Sequence, residues 1–361
     1  MDPITHAASG AVAMLACPNR PLTRWAVPLA ALASASPDVD IFFVHSPLDF
    51  LLLHRGITHS LAALPVMGLI LAALMFPLWR RATPGRWTFE RTMLAAMGLV
   101  LLHIWLDCVT TYGTMIFLPF SEYRVRLNGL FIVDIWLLIP MFLTIFLWRD
   151  RPRIVLATLL WIFLYPAACV GLSMHHRAVA EERLAGQSPR QVTVLPEAFA
   201  PLRWRVLYET DTPYPPPPLP RQTIRSVHQQ GLNFLGRPVT PVHNYPAANA
   251  ALLARLSKES RSCRAFFAFT VLPLQYATPT DGGAEYTFYD LRFATLIPFV
   301  QDILELRPNA DLPFRLFARL SPEGQLEAVR MKFSDTGRDS GWHPPAAPHP
   351  PTIWEWLVGL H

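Results

Sequence analysis

Long apolar runs constrain this chain more than any other feature. Residues 61–79 and 154–174 carry no charged side chain, and residues 130–148 carry one, Asp134. A fourth run, residues 92–108, is apolar apart from His103 and Asp107. A bilayer core of about 30 Å needs about 20 apolar residues in an α-helix. The first three runs reach that length and the fourth nearly does. Two shorter apolar stretches, residues 4–17 and 25–36, come before them and read as short or half-spanning helices. Asp2 followed by Pro3 is a good helix start, and Pro18 and Pro37 supply stops. Residues 41–53 (IFFVHSPLDFLLL) read as an interfacial or re-entrant piece.

Composition changes after His175. Charged residues make up 16% of the whole chain, against about a quarter in an average soluble protein, and the first half is nearly free of Asp, Glu and Lys. The fold class that follows is an α-helical polytopic membrane domain over residues 1–176, with four or five spans, then a soluble α+β or mostly β domain over residues 177–361. Strand-like runs fall at 203–208, 265–272, 286–293, 314–320 and 326–333. Helices are expected around 246–260 and near 353–360, a Pro run at 215–218 marks a loop, and residues 343–351 form a Pro/His-rich linker.

The net charge of +5 comes almost wholly from Arg, with no block suited to gripping nucleic acid, so no direct nucleic-acid binding is expected. The arginines cluster instead in three loops: Arg20 and Arg24; Arg80, Arg81, Arg86 and Arg91; Arg149, Arg151 and Arg153. Alternating spans put all three loops on one side, which the positive-inside rule makes cytoplasmic. The soluble domain then lies outside the cytoplasm. Four cysteines (Cys17, Cys108, Cys169 and Cys263) form no CxxC pair and say little about redox compartment. No cleavable signal peptide is visible.

With that orientation, ionisable side chains gather at one membrane level. His6, Asp38, Asp40, His54, His59, His103, Asp107 and Asp134 all fall at the non-cytoplasmic ends of their segments. His103 and Asp107 are four residues apart, on one helix face. Asp38 and Asp40 follow Pro37 and are expected to be extended, with both side chains pointing the same way. His54 to Ser60 reads as a loop entering a helix, capped by Thr58 or Ser60. Imidazole with carboxylate suits zinc, and with more oxygen ligands manganese or iron. A lone His in a membrane helix is ordinarily a helix–helix hydrogen-bonding group. Asp134 has its own plain reading, as a helix cap or a partner for Arg124 or Arg126. The number of His and Asp residues converging on one level favours a metal site over these.

The segments MDPITHAASG at the start, SPDVD at 36–40, HRGITHS at 54–60, HIWLDCVTTYGT at 103–114 and LFIVDIWLL at 130–138 resemble a family of bacterial inner-membrane metal-dependent hydrolases, YdjM-type and described as LexA-binding. The resemblance covers residues 1 to about 140. It implies a multi-pass protein of the bacterial inner membrane and a distant similarity to zinc-dependent phospholipase C and P1-type nucleases, with their helical arrangement. It also implies metal ligands in the order His6, Asp38 or Asp40, His54 or His59, His103 and Asp107. No His-x3-Glu follows, so one or two ions are expected rather than three.

The function expected is hydrolysis of an ester or phosphoester on a membrane lipid or lipid-linked substrate. Arg55 is the candidate phosphate clamp, and Asp40 or Asp134 the candidate general base or partner to a His. Two alternatives stand beside it: a non-catalytic scaffold or regulator keeping a structural metal, and a proton or metal-ion transporter.

Overall fold

The computed structural model describes residues 1–214, 225–294, 296, 313–333 and 338–348, in two compact units. The first comprises Met1–Phe43 and Leu53–Ser173, and the second comprises Val44–Leu52 with residues from Met174 onward.

In the first unit, α1 (Pro3–Ala16) starts on Asp2, whose carboxylate accepts from the backbone N–H groups of Ile4 and Thr5. α2 (Ala26–Ala35) packs on α1 at close range. A Cβ on Gly10 would stand 2.5 Å from both the Ala30 carbonyl oxygen and Ser34 Cβ. Small residues let helices approach this closely where lipid supplies no hydrophobic drive. α4 (Leu64–Ala82) and α5 (Phe89–Cys108) close around the pair, burying Met14, Ala30, Met75, Trp79, Ala96 and Leu99 together.

Four stretches among the described residues are long and apolar enough to cross a membrane: Ala26–Phe43, Leu64–Ala82, Phe89–Cys108 and Pro152–Gln187. The set differs from the expected one in two places. Pro37 does not stop the second helix; it sits in a 3-10 segment, Ser36–Phe43, that continues it. Proline fits there because its φ is already helical and a first turn needs no N–H from it. The run at 130–148 yields only α6 (Ile135–Phe146), 12 residues and therefore about 18 Å. Before it, the Leu130 N–H donates to the Val109 carbonyl, and the helix begins where Asp134 accepts from the Leu137 N–H. α7 (Pro152–Leu184) runs far past the expected end at residue 174.

The second unit holds two antiparallel sheets. β1 (Gln191–Glu197), β2 (Ala200–Pro213), β3 (Arg225–Leu232) and β4 (His243–Pro246) pair in chain order. β5 (Pro273–Thr280), β6 (Gly283–Asp290), β7 (Phe314–Leu320), β8 (Leu326–Phe333) and β9 (Arg338–Asp339) do likewise. In β7 the alternation of FRLFARL buries Phe314, Leu316, Ala318 and Leu320 on one face. Between the sheets lie α8 (Ala250–Glu259), capped by Asn249, and α9 (Arg261–Phe269).

One sequence expectation is corrected in this unit, and an apolar segment from the first half of the chain joins it. Residues 265–272 were expected to form a strand, but most of them belong to α9. Ser260 caps that helix, and Cys263, Phe266 and Phe269 line up three apart on its buried side. The apolar piece at 41–53, expected to be interfacial or re-entrant, is divided between the 3-10 segment Ser36–Phe43 and a short helix. It contains α3 (Pro47–Leu53), whose Phe50 and Leu51 are buried in the second unit. The Phe50 ring lies 6.1 Å from that of Phe314 and 5.9 Å from that of Phe333, and Arg338 donates to the Val44 carbonyl (3.1 Å). The helix expected near 353–360, the Pro run at 215–218 and residues 349–351 of the linker lie outside the described residues.

Candidate metal centre

α5 carries His103 and Asp107 on one face, and both are fully buried. His103 Nδ1 faces the Ser34 carbonyl at 2.7 Å, so that nitrogen must carry the proton and donate. Its Nε2 is left as a lone pair pointing inward. His59, in a short 3-10 turn (Ile57–His59), brings a second Nε2 to 3.0 Å from the first. Asp107 Oδ2 lies 3.3 Å from His59 Nε2 and 3.5 Å from His103 Nε2. Asp38 Oδ1 lies 3.5 Å and 3.6 Å from the same two nitrogens.

These four atoms, from three separate segments, all lie within 4.8 Å of one another. Four tetrahedral ligands held about 2.0–2.1 Å from an ion stand about 3.3 Å apart. The observed separations bracket that value. Two imidazole nitrogens and two carboxylates this close need either a shared proton or a cation among them. Asp38 Oδ2 and Asp107 Oδ2 are also buried with no hydrogen-bond partner among the described residues. The donor set therefore fits a divalent metal ion.

Asp38 and Asp40 were expected to be extended and to point the same way. The 3-10 backbone instead turns them roughly 120° apart, at three residues per turn. Asp38 reaches the Nε2 side of His59, and Asp40 Oδ2 reaches its Nδ1 side at 3.4 Å. Asp40 Oδ2 also accepts from the Arg55 backbone N–H (2.9 Å) and the Thr58 hydroxyl (3.3 Å). A carboxylate behind a ligating imidazole fixes its tautomer and orientation. His54 Nδ1 lies 3.1 Å from Asp40 Oδ1, and Asp38, Asp40 and His54 form a second group of metal-binding type that shares Asp38 with the first.

The other oxygen of Asp107 is surrounded by cationic and polar groups. Arg55 Nη2 reaches Oδ1 at 3.0 Å, His6 Nε2 at 3.2 Å, and the Met1 amino group contacts it as well. Arg55 is buried at φ 58°, donates from Nη1 to Thr110 Oγ1 (2.9 Å) and lies over the Tyr112 ring. His6 stacks on His103, with centroids 3.6 Å apart. Burial, then His103 and the Met1 amino group, hold His6 well below the usual imidazole range, so it is neutral. Burial alone would lower His59 too, but the Asp107 and Asp38 carboxylates beside it outweigh that and raise it to about 9.

Of the residues singled out in the sequence, Asp38, His59, His103 and Asp107 form the first group, with Asp40 and His54 beside them. His6 and Arg55 sit against Asp107 Oδ1, outside the four-atom cluster. Asp134 is not among the gathered groups; it caps α6 and accepts from the Tyr165 hydroxyl (3.0 Å). Ser60, rather than Thr58, caps the following turn, accepting from the Ala63 N–H. Thr58, Thr110 and the Ser34 carbonyl were missed as parts of the site. The hydroxyls stand one residue before His59 and three after Asp107, which is the only signal they give.

A family model described as "YdjM inner membrane protein" matches residues 1–178. "Uncharacterized protein YfhP" of Bacillus subtilis (strain 168) is 30% identical over 156 residues, which is 41% of this chain and 46% of that protein. The chain thus spans less than half the length of this curated relative. No solved structure matches the chain.

Proposed function

Residues 1–178 place this chain in the YdjM inner membrane protein family, and from that premise we propose that it is a metal-dependent hydrolase of an ester or phosphoester on a membrane-associated substrate. The observation that carries the reading is the convergence of Asp38, His59, His103 and Asp107 at ligand spacing, with two unpartnered carboxylate oxygens among them. An ion bound there, zinc or else manganese or iron, supplies Lewis-acid chemistry for hydrolysis. The second group around His54 leaves room for one ion or two.

The chain's own groups have distinct tasks. His59 and His103 present neutral Nε2 atoms once Nδ1 of His59 donates to the Thr58 hydroxyl (3.0 Å), itself held by Asp40, and Nδ1 of His103 donates to the Ser34 carbonyl. Arg55 and His6 hold Asp107 through its outer oxygen, and the Arg55 guanidinium offsets its charge. Asp38 and His54 are the members that reach solvent, at 14% and 16% exposure, so water and substrate enter on their side. Asp40 lies on that side, placed to take a proton from water or to pass one to His54. An opening at this point favours catalysis over a purely structural ion, which would be closed off on all sides. The Arg-rich loops support a topology with the site and the C-terminal unit on the extracytoplasmic side, where a lipid or lipid-linked substrate is at hand.

The test is metal content of the detergent-purified protein. The wild type should hold stoichiometric metal, and His103→Ala and Asp107→Ala should lose it. Equal metal in both variants, or none in the wild type, would overturn the reading.

A further inference from the structure

We propose that Arg55 is a positioning residue for the metal. By holding Asp107 Oδ1 it limits Asp107 to one ligating oxygen, and so fits the site to a four-coordinate ion, zinc, over a six-coordinate one such as manganese. This rests on the metal-site reading and names the ion within it.

The two oxygens of Asp107 have different surroundings. Oδ2 faces His59 Nε2 and His103 Nε2 and has no hydrogen-bond partner among the described residues. Oδ1 instead meets Arg55 Nη2 at 3.0 Å and His6 Nε2 at 3.2 Å. A carboxylate can give an ion one oxygen or two. With Oδ1 engaged by these donors, Asp107 has Oδ2 alone to give. The guanidinium is itself held firmly. Its Nη1 donates to Thr110 Oγ1 (2.9 Å), and that hydroxyl donates to the Asp107 backbone carbonyl (2.8 Å). The Tyr112 ring centroid lies 4.7 Å from its central carbon. The backbone N–H of Arg55 is fixed by Asp40 Oδ2 (2.9 Å). A guanidinium that is buried and committed to Asp107 and Thr110 is better placed to orient a ligand than to meet a substrate.

The donor count then selects the ion. Asp38, His59, His103 and Asp107 offer one atom each, two nitrogens and two oxygens. Zinc is satisfied by four such donors. Manganese favours six, mostly oxygen. Arg55 withholds from it the second oxygen of Asp107. An arginine suits this task because its charge is permanent and its fork reaches Asp107 and Thr110 at once.

The experiment uses the full chain in detergent, stripped of metal and reloaded. Cobalt(II) is the first probe, because four-coordinate cobalt absorbs visible light far more strongly than six-coordinate cobalt. Wild type should show the strong bands. Arg55→Met, which releases Oδ1, should show weaker ones. The second readout is competition between zinc and manganese, followed by elemental analysis. Arg55→Met should lower the zinc-to-manganese selectivity about tenfold. Arg55→Lys, which keeps a cation beside Oδ1, should restore most of it. Weak cobalt bands in the wild type, or unchanged bands and selectivity in Arg55→Met, would overturn the proposal. Equal weakening of both ions in Arg55→Met would give Arg55 a structural role only and overturn it as well. A wild type that binds none of the three ions would instead sink the metal-site reading itself.

Discussion

His59 serves two sides of the site because its ring has two nitrogens and the 3-10 backbone offers a carboxylate to each. That makes the site's response to pH predictable. The ring keeps a proton up to about pH 9 when only the carboxylates hold it. That proton stabilises the metal-free fold fully below pH 6.5, and the contribution is lost as pH rises through about 9. An ion taking Nε2 must expel the proton, so affinity should rise about tenfold per pH unit towards pH 9 and then level off. Calorimetry at neutral pH in buffers of different ionisation heat should find about one proton released per ion. Release of none would mean that His59 is already neutral. Asp40→Asn removes the carboxylate that stands behind Nδ1 and holds the Thr58 hydroxyl there, and should weaken metal retention about 10- to 100-fold in a chelator competition; unchanged retention would show that the ring is held without it. The ligand types and the His103–Asp107 spacing could be read from sequence because a helix fixes which side chains share a face. The directions of Asp38 and Asp40 could not, since Pro37 permits an extended strand or a 3-10 turn equally well. Nor could the inward turn of Arg55, which depends on a left-handed backbone at a position that is not glycine.

The elements hold these side chains by close approach. α1 supplies His6, α2 the Ser34 carbonyl that orients His103, and the two helices meet at Gly10. Gly10→Leu forces them apart against backbone, and overpacking of this kind costs about 1–3 kcal/mol. The variant should melt at lower temperature in detergent and hold less metal than wild type. An unchanged melt with full metal would show that the helix spacing does not govern the site. Element boundaries were legible where long periodic runs met a cap, as in α5 and α8. They failed where an apolar run was short. The run at 265–272 suits a strand or a helix alike, and the capping Ser260 decides it. β3 escaped notice for a different reason: it is buried on both faces, and the buried side chains include His228 and Gln229. His228 is paired with Thr210 (2.8 Å) and Asn244 (2.7 Å), partners that only the folded sheet brings near.

At the scale of the molecule, the change in composition near residue 176 marks a real change of architecture, but it hides an exchange. Val44–Leu52, from deep within the apolar half, belongs to the C-terminal unit, and no hydropathy reading separates that segment from its membrane-bound neighbours. The exchange imposes a rule of parity. On the proposed multi-pass topology, a chain that leaves the unit at Leu52 and rejoins it at Met174 must end on the face it started from, crossing the bilayer an even number of times between them. Taken as crossings, α4, α5 and α7 make an odd number, which obliges the stretch containing α6 to traverse as well. Its 12 helical residues cannot do so alone. Residues before them must share the distance, and buried backbone at Val109 and Leu130 is the kind that membrane depth tolerates outside a helix. An impermeant maleimide on sealed vesicles should then treat Arg86→Cys and Asp150→Cys alike and Glu323→Cys oppositely. Opposite labelling of Arg86→Cys and Asp150→Cys would break the parity. On that proposed topology, one short helix decides on which side of the membrane the C-terminal unit lies.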